Sequence, residues 1–414
     1  MRNPAALLAA AEFDPAISVD GLVPGGVVHP ESGEEVAALL AMCDQHKFTA
    51  TPVGGGTKLA LGNVPPKMDV AVSTLGLGGV RAYEPSDLVC SLGAGARFGD
   101  VQAVLAEHGQ TIPLDAPDDA TIGGLVATAI AGPRRLGNGS LRDLLIGIEV
   151  AHPSGTVTHG GGMVVKNVSG FDMPRVYHGS LGTLGIIVSA NFKVLPLPQR
   201  ETTVVGTHQR LNEALAAARR IRQSRIMPLA LEVSRSGDGW STAVRIGGHE
   251  ATLDGAVLEV QRLLGHDPQL IEGPESSAWW RGYISATDLR LEHDAALLRL
   301  SVRPRDVDTM AEGAVGALSQ LGIASPVVAI SPGLGQVIIR LEPEPADAHD
   351  RFLTARDVLS ALADHAVVLA APPAWKRGID VWGPAPATLP VMKALKEQFD
   401  PGGVLNAGRF VGFI

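Results

Sequence analysis

The chain has 414 residues, of which 45% are hydrophobic and 19% are charged, and this composition describes a globular protein of roughly two or three domains. A net charge of -9 and an aromatic content of only 4% argue against binding of nucleic acid by the protein as a whole. Nucleic-acid-binding proteins usually present a basic face and aromatic platforms.

The N-terminal stretch and the two cysteines argue against a secretory signal, a disulfide framework and an iron–sulfur site. The first apolar stretch is interrupted by Pro4 and ends at Glu12, which is shorter than a secretory signal normally needs. Cys43 and Cys90 are too few for a disulfide framework or an iron–sulfur ligand set, and we expect both in the core. No apolar segment approaches the length of a membrane-spanning helix. The expectation is therefore a cytoplasmic protein.

The first half of the chain alternates patterns typical of helices and strands. Ser32 is positioned to cap a helix over "SGEEVAALLAMCDQHK", and Gly109 closes a second helix over "RFGDVQAVLAEHGQ". Strands are predicted at "FTATPV", "MDVAVST", "GGVRAYEP" and "DLVCSLGAG". This alternation predicts an α/β organisation for the first half.

The composition changes after Pro198, where we place a domain boundary. Strand "TTVVGT", helix "LNEALAAARRIRQSR", strands "LALEVSR" and "TAVRIGG" and helix "ATLDGAVLEVQRLLG" predict an α+β domain with an antiparallel sheet. A similar succession of strands and helices continues to "AVVLAAP". The tail contains a helix that ends before Asp400 and a turn with Pro401, which favours packing against the body. The expected divisions are residues 1–198, 199–375 and 376–414.

Three glycine-rich stretches in the first half offer consecutive backbone N–H groups with little side-chain bulk. They are "PVGGGTKL", "PLDAPDDATIGGLVATAIAGPRRLGNGSLRDLLIGIE" and "VVKNVSGFDMPRVYHGSLGTLGIIVSANFKVLP". The first one matches neither the P-loop nor the dinucleotide-binding fingerprint, because Thr57 precedes Lys58 and Leu59 stands where a third glycine is required. Backbone cradles of this kind bind phosphate groups without many cations.

These stretches resemble the PCMH-type FAD-binding domain of the vanillyl-alcohol oxidase superfamily. The resemblance covers residues 21–198 and returns at the C-terminal "FDPGGVLNAGRF". It implies an α+β protein, in which a PCMH-type FAD-binding domain of two α/β subdomains is followed by an α+β substrate or cap domain. Within the superfamily, "AGPRR", "VKNVSGFD" and "GSLGTLGII" are most similar to the FAD-binding subunit of bacterial glycolate oxidase.

The resemblance also implies which residues bind FAD. The first loop would wrap the diphosphate with backbone N–H groups, and a side chain at Gly55 or Gly56 would occupy the space of the phosphate. The second stretch would line the diphosphate with residues 121–124 at a helix start, and its later part around Ser140 and Asp143 would shape the surroundings of the isoalloxazine. The third stretch would approach the flavin and adenine. The implied residues are Pro52, Val53, Gly54, Gly55, Gly56, Thr57; Thr121, Ile122, Gly123, Gly124; Ser140, Asp143; and Gly182, Thr183, Gly185, Ile187.

Structural alternatives stand beside these assignments. Thr121 also fits a simple helix cap, and Arg142 would pair with Asp143 or cap a helix. Residues 186–188 also fit a buried strand. Many members of the superfamily attach flavin to a histidine beside the first glycine loop, but Gly56, Thr57 and Lys58 occupy that position here. We therefore expect non-covalent FAD.

The residues that would act on a substrate are less well defined. Oxidation of a 2-hydroxy acid requires a cation for the carboxylate and a base for the hydroxyl proton. Arg134, Arg135, Lys376 and Arg377 are the candidate cations, whereas no base is identified, and Lys166 is more typical of a solvated or phosphate-facing charge. No metal site is expected, because His208, His249, His266, His293, His349 and His365 lack the spacing of metal ligands.

The resemblance implies a subunit of a glycolate oxidase complex that oxidises glycolate to glyoxylate. Its partners would be a second flavin subunit and an iron–sulfur subunit, and any association with a membrane would pass through them. The lack of an identified base favours this interpretation. Two alternatives stay open: an independent FAD-dependent oxidase or dehydrogenase of another alcohol or hydroxy acid, and a structural subunit without turnover.

Overall fold

The computed structural model describes residues 2–164, 170–291, 294–343 and 345–414, and the chain divides into two units. The first unit contains residues 1–130, 140–197 and 376–414, and the second contains residues 131–139 and 198–375. The sequence places its divisions at 198/199 and 375/376 and does not separate residues 131–139 from the first unit.

The strands and helices follow one another through both units. The strands are β1 Gly26–Val28, β2 Ala50–Val53, β3 Val70–Ser73, β4 Val80–Glu84, β5 Val89–Gly93, β6 Gln110–Thr111, β7 Leu145–Ala151, β8 Val157–Gly161, β9 Ile186–Lys193, β10 Leu195–Pro196, β11 Arg200–His208, β12 Ala230–Ser236, β13 Gly239–Gly248, β14 Gln269–Glu272, β15 Ala296–Ser301, β16 Ala324–Ser331, β17 Gln336–Glu342 and β18 His365–Ala370. The helices are α1 Pro4–Ala9, α2 Gly33–His46, α3 Phe98–Ala106, α4 Ile122–Thr128, α5 Arg135–Asn138, α6 Leu141–Leu144, α7 Met173–Tyr177, α8 Leu211–Gln223, α9 Glu250–Leu264, α10 Gly273–Ala286, α11 Val307–Gln320, α12 Ala348–Ala361, α13 Pro373–Lys376 and α14 Leu389–Phe399.

Two sheets organise the first unit. A parallel sheet has the order β1-β3-β2, and a five-stranded sheet has the order β4-β5-β9-β7-β8 with antiparallel pairing throughout. Helix α2 begins where the Ser32 hydroxyl accepts a hydrogen bond from the Glu35 N–H (3.2 Å), and this confirms the predicted cap. Leu39 and Leu40 of α2 are fully buried in a core shared with strands of both sheets.

The C-terminal segment extends the parallel sheet of the first unit. The Ala50 N–H donates to the Val404 carbonyl (2.7 Å), and the Asn406 N–H donates to the Ala50 carbonyl (3.0 Å). Leu405 is fully buried in the same core as α2. Residues 404–406 are therefore part of the first unit's core and lie directly beside β2, whose end begins the first glycine-rich loop.

The second unit contains the predicted antiparallel sheet, with the strand order β14-β11-β13-β12-β16-β17-β15-β18. The sequence interpretation missed β14 and α10. In α10 the large apolar side chains are confined to the second half, after the polar start "GPESS", and of its three large aromatic residues only Trp280 is fully buried, where its indole N–H donates to Thr203 Oγ1 (2.8 Å). A short apolar pattern gives a weak helix signal. Within the described ranges, none of the helices has the length and apolarity needed to cross a membrane.

Candidate functional site

A cleft lies in the first unit, where the predicted glycine-rich loops meet. Residues of all three loops border it together with part of the C-terminal segment. The bordering residues are Val19, Thr51, Pro52, Gly54, Gly55, Gly56, Thr57, Lys58, Leu59, Leu61, Thr74, Thr121, Gly123, Gly124, Ala127, Thr128, Leu181, Gly182, Gly185, Ile186, Ile187, Asn406 and Arg409.

The first loop follows β2 directly and exposes backbone donors. The N–H groups of residues 54–57 form no backbone hydrogen bond with any part of the chain that the structure describes. Gly56 has a φ of 73°, a conformation that favours glycine, and a Cβ added there would meet open space. Val53 is buried in β2 and does not border the cleft. The loop can thus present several N–H groups to an anion.

The glycines at positions 54 and 55 have a physical reason within the protein itself. A Cβ at Gly54 would lie 2.0 Å from Thr121 Oγ1, and a Cβ at Gly55 would lie 2.0 Å from the Asp119 carbonyl oxygen. Close packing of the first loop on the second therefore excludes a side chain at Gly55. That a side chain at Gly55 or Gly56 would also occupy the space of the phosphate stays a prediction.

The second loop leads into α4 and does not offer all the donors expected of it. The Ile122 N–H donates to the Ala96 carbonyl (3.0 Å), and the Gly123 N–H donates to the Ala94 carbonyl (2.8 Å). These two donors are already used within the protein, so the expectation that they bind an anion does not hold. Ile122 is buried away from the cleft, whereas Gly123 and Gly124 border it.

Thr121 supplies an unpaired polar atom at the cleft. Its hydroxyl does not cap α4, so the helix-cap alternative is wrong. The residue is 2% exposed, and its Oγ1 has no hydrogen-bond partner among the described residues. A buried hydroxyl without a partner is costly, and a polar ligand in the cleft would remove that cost.

The third loop reaches the cleft through Gly182, Gly185 and Ile187. Gly182 has a φ of 70°, and a Cβ there would lie 2.7 Å from Pro52 Cγ, so this glycine allows contact between the first and third loops. Ile187 borders the cleft and also pairs with Val150 in the five-stranded sheet. The buried-strand interpretation is confirmed, and the contact with adenine stays a prediction. Thr183 does not border the cleft, and its N–H and hydroxyl both donate to the Ser180 carbonyl.

Ser140 and Asp143 form a capping box at α6 and do not border the cleft. The N–H and the hydroxyl of Ser140 each donate to Asp143 Oδ2 at 2.8 Å. These hydrogen bonds from Ser140 hold the pKa of the Asp143 carboxyl below its usual range. Ser140 and Asp143, and not Arg142, thus form the cap of α6. The position of this loop near the isoalloxazine stays a prediction.

Of the four candidate cations for a substrate carboxylate, two lie in the first unit and two in the second. In the first unit, Lys376 is 2% exposed and its ammonium contacts Asp20, whereas Arg377 is exposed. In the second unit, Arg134 binds Glu201 (2.8 Å) and Arg135 is exposed. Burial and an internal partner give Lys376 a structural environment and not that of an open carboxylate clamp. Lys166 and His293 lie outside the described residues.

The sequence interpretation missed the contribution of the C-terminal segment to the cleft. The Asn406 amide N–H donates to the Leu181 carbonyl (2.6 Å) in the third loop, and its Oδ1 has no partner within the portion of the chain that the structure describes. Arg409 borders the cleft and is 3% exposed. The motif "FDPGGVLNAGRF" was the available signal, but the motif alone does not say which loop each residue contacts.

A group of three buried charges lies beside the first loop. The Asp20 carboxylate accepts from the Lys376 ammonium (2.5 Å) and from the Arg409 guanidinium. Burial lowers the pKa of Lys376 to about 8, against the opposing effect of Asp20, and burial also lowers the pKa of Arg409. We call these three residues the Asp20 cluster.

Comparison with known proteins identifies the ligand of this domain. Residues 24–161 match the model of the "FAD binding domain" family. Over its full length the chain has the fold of p-cresol methylhydroxylase, with a TM-score of 0.73, 14% identity, and coverage of 98% of this chain and 92% of that one. Residues 24–161 are an FAD-binding domain, and the predicted PCMH-type α+β fold is confirmed.

Curated relatives resemble part of the chain. Glycolate oxidase subunit GlcD of Bacillus subtilis is 28% identical over 212 residues, covering 51% of this chain and 45% of the relative. Mitochondrial D-lactate dehydrogenase [cytochrome] of Arabidopsis thaliana is 30% identical over 196 residues, covering 47% and 35%. Glycolate oxidase subunit GlcE of Escherichia coli is 32% identical over 234 residues, covering 55% and 64%. The chain thus matches between about a third and two thirds of the length of these relatives.

The cleft suits FAD on the evidence of its own atoms. The N–H groups of residues 54–57 and the Thr121 hydroxyl point to a polar ligand that accepts several hydrogen bonds, and a diphosphate is such a ligand. Apolar residues such as Val19 and Leu181 also border the cleft and suit the rings of a flavin nucleotide.

Proposed function

We propose that this chain is an FAD-dependent oxidoreductase that acts on the CH–OH group of a small 2-hydroxy acid, as the FAD-binding subunit of a glycolate oxidase complex. The observation that carries the proposal is the cleft of the FAD-binding domain, with its free N–H groups and unpaired Thr121 hydroxyl. The names of the relatives, two of them glycolate oxidase subunits and another a D-lactate dehydrogenase, support the hydroxy-acid class.

The residues of this chain would bind and orient the cofactor. Bound FAD supplies the acceptor for the hydride that leaves the hydroxyl-bearing carbon. The N–H groups of residues 54–57 would hold the diphosphate, and Thr121 would donate to it or to the flavin side of it. Gly182, Gly185 and Ile187 would let the backbone approach the flavin and adenine. Ser140 and Asp143 would act only by fixing the loop that precedes β7.

We propose that FAD is bound without a covalent link. The residues that border the cleft include neither histidine nor cysteine within the described ranges. The two cysteines are fully buried elsewhere, and burial raises the pKa of Cys43 to about 11 and that of Cys90 to about 12. Thiols with such pKa values are poor nucleophiles at neutral pH.

The partners in this proposal are a second flavin subunit and an iron–sulfur subunit, which would receive electrons from the flavin. This part of the proposal is supported by the two relatives GlcD and GlcE, which are both subunits of glycolate oxidase. A cytoplasmic location, with contact to a membrane only through these partners, completes the proposal.

Turnover by the purified protein tests the proposal. The protein is assayed anaerobically with glycolate and with D-lactate, by loss of flavin absorbance and by reduction of an artificial acceptor, first alone and then with co-expressed partner subunits. We expect flavin that is released by denaturation, with hydroxy-acid oxidation that appears or rises when the partners are present.

The control is Gly55→Val, which places a side chain against Asp119 and should lose both flavin and turnover. Turnover of the isolated chain at the rate of the complex would favour an independent enzyme. Flavin that no hydroxy acid reduces, even in the assembled complex, would contradict the proposed activity. Flavin that stays on the precipitated chain would contradict non-covalent binding.

A further inference from the structure

The Asp20 cluster contains two cations and one carboxylate in a place from which water is excluded. The side chains of Lys376, Arg409 and Asp20 are 0%, 4% and 3% exposed. The Asp20 carboxylate balances only one of the two positive charges. Asp380 is the next carboxylate, beyond Asn63, and it accepts hydrogen bonds from the Asn63 amide and from two backbone N–H groups.

The two cations of the cluster bind one short loop by its carbonyl oxygens. Lys376 donates to the Ala60 carbonyl (2.9 Å), and Arg409 donates to the carbonyls of Leu59, Leu61 and Asn63. This loop continues directly from the first glycine loop, and Leu59 and Leu61 border the cleft. The cluster therefore fixes the backbone that adjoins the expected position of the diphosphate.

A surplus positive charge in a dry site is unfavourable unless an anion lies near it. The lowered pKa values of Lys376 and Arg409 agree with this cost, since burial is the largest cause of both shifts. A diphosphate in the cleft is such an anion, and its attraction to the cluster would be weakly screened.

We propose that Lys376 and Arg409 are positioning residues for the FAD diphosphate: they hold the loop of residues 59–63 and supply one net positive charge beneath the cleft. The proposal rests on FAD binding in this cleft and not on oxidation of a hydroxy acid. It assigns Lys376 to the cofactor, in place of the substrate carboxylate that the sequence suggested.

The charged groups of the cluster can be changed singly without removing its packing. Lys376→Met leaves Asp20 paired with Arg409, so the cluster becomes neutral. Asp20→Asn removes the carboxylate and keeps the Arg409 charge, so the cluster stays positive even where the Lys376 ammonium, no longer favoured by Asp20, loses its proton. Asparagine tolerates the φ of 52° at position 20. The exposed Lys393→Met is the matched control on the same C-terminal segment.

Calorimetry measures the binding of ADP and of adenosine to the flavin-free protein. The two ligands distinguish an effect of charge on the diphosphate from general damage to the fold, which would weaken the binding of both. For Lys376→Met we expect about tenfold weaker binding of ADP, which carries the diphosphate, and unchanged binding of adenosine. For Asp20→Asn we expect ADP affinity equal to or above that of the wild type. Lys393→Met should match the wild type for both ligands.

Three outcomes would overturn the role of the cluster. They are unchanged ADP affinity in Lys376→Met, an equal loss for ADP and adenosine in that variant, and a loss of ADP affinity in Asp20→Asn similar to that in Lys376→Met. If Lys376→Met does not fold, Asp20→Asn decides alone. ADP affinity at or above that of the wild type supports the role of the cluster, and a loss of ADP affinity overturns it. A wild-type protein that binds neither FAD nor ADP would instead overturn the cofactor site itself.

Discussion

Two groups of buried charges join the C-terminal segment to the rest of the first unit, and they differ in net charge. The Asp20 cluster joins two cations to one carboxylate. The other group joins Lys396 to Asp400 in a single pair (2.6 Å), and the side chain of Asp400 is 0% exposed. Lys396 also donates to the Thr183 carbonyl (2.9 Å) in the third loop and to the Leu405 carbonyl (2.8 Å).

The difference separates a stabilising role from a binding role. In the Lys396–Asp400 pair every charge has its opposite, and the Asp400 carboxylate also accepts from the N–H groups of Val404 and Leu405. Such a pair fixes a segment and leaves no charge for a ligand. The Asp20 cluster retains one positive charge beside the cleft. We infer that the balanced pair determines the stability of the first unit, whereas the unbalanced cluster determines its affinity for an anion.

The largest effect is expected from breaking the balanced pair. Asp400→Asn leaves the Lys396 ammonium buried without a counterion, and removal of one partner from a buried pair costs about 3–5 kcal/mol. The loss would be measured as the free energy of unfolding in urea. The matched surface variant is Glu259→Gln, which breaks an exposed pair with Arg262 and should leave stability almost unchanged. A loss for Asp400→Asn no larger than for Glu259→Gln would remove the distinction.

The second effect is a pH dependence that belongs to the unbalanced cluster. Burial lowers the pKa of Lys376 from its ordinary 10.5 to about 8, so between these values the unfolded chain holds a proton that the folded chain has lost. Stability then rises with pH, by at most about 1.4 kcal/mol per pH unit for one proton. The unfolding free energy of the wild type minus that of Lys376→Met should therefore increase from about pH 8 towards pH 10.5.

The subtraction removes the groups that both proteins share. The raised pKa values of Cys43 and Cys90 lower stability at high pH in the wild type and in the variant alike. Urea unfolding of the flavin-free proteins at several pH values gives the difference directly. A difference that is flat or falls above pH 8 would mean that Lys376 is fully solvated or held strongly protonated by Asp20, and the cluster would then resemble the balanced pair.

Much of the fold could be predicted because its signals are local. The Ser32 cap, the glycine after α3 and the alternation of strands in the second unit depend on neighbours within a few residues. Helix α10 was missed because burial of Trp280 depends on Thr203, a contact across 77 residues of chain. The sequence division keeps residues 131–139 within 1–198, whereas contacts such as Gly137 N–H to the Leu229 carbonyl group them with the second unit, and such distant contacts leave no local pattern.

The sequence predicted the glycine-rich loops that border the cleft, but not the buried Asp20 cluster that holds the neighbouring backbone. Glycine-rich segments signal a backbone that must approach something closely, but the sequence does not say whether that neighbour is a ligand or protein. At Gly55 the neighbour is the Asp119 carbonyl. The Asp20 cluster was missed because its members are separated by 356 and 389 residues, and only tertiary packing brings them together.

The smallest effect is expected at Thr121, which borders the cleft and differs from both charged groups because its hydroxyl has no hydrogen-bond partner among the described residues. In both charged groups the cations donate to carboxylate or carbonyl oxygens, whereas Thr121 Oγ1 has no partner in the described portion of the chain. Thr121→Val keeps the shape and removes the unpaired hydroxyl. The flavin-free protein should therefore gain about 1 kcal/mol in unfolding free energy, while its FAD affinity falls.

Thr183→Val is the matched control for this prediction, because Thr183 is equally buried and its hydroxyl donates to the Ser180 carbonyl (2.7 Å). That variant leaves a buried carbonyl with one donor fewer and should lose about 1 kcal/mol. Urea unfolding without flavin and fluorescence titration with FAD measure the two quantities. Equal losses of stability in the two variants would mean that the Thr121 hydroxyl is satisfied without a ligand, and its role in holding FAD would then be rejected.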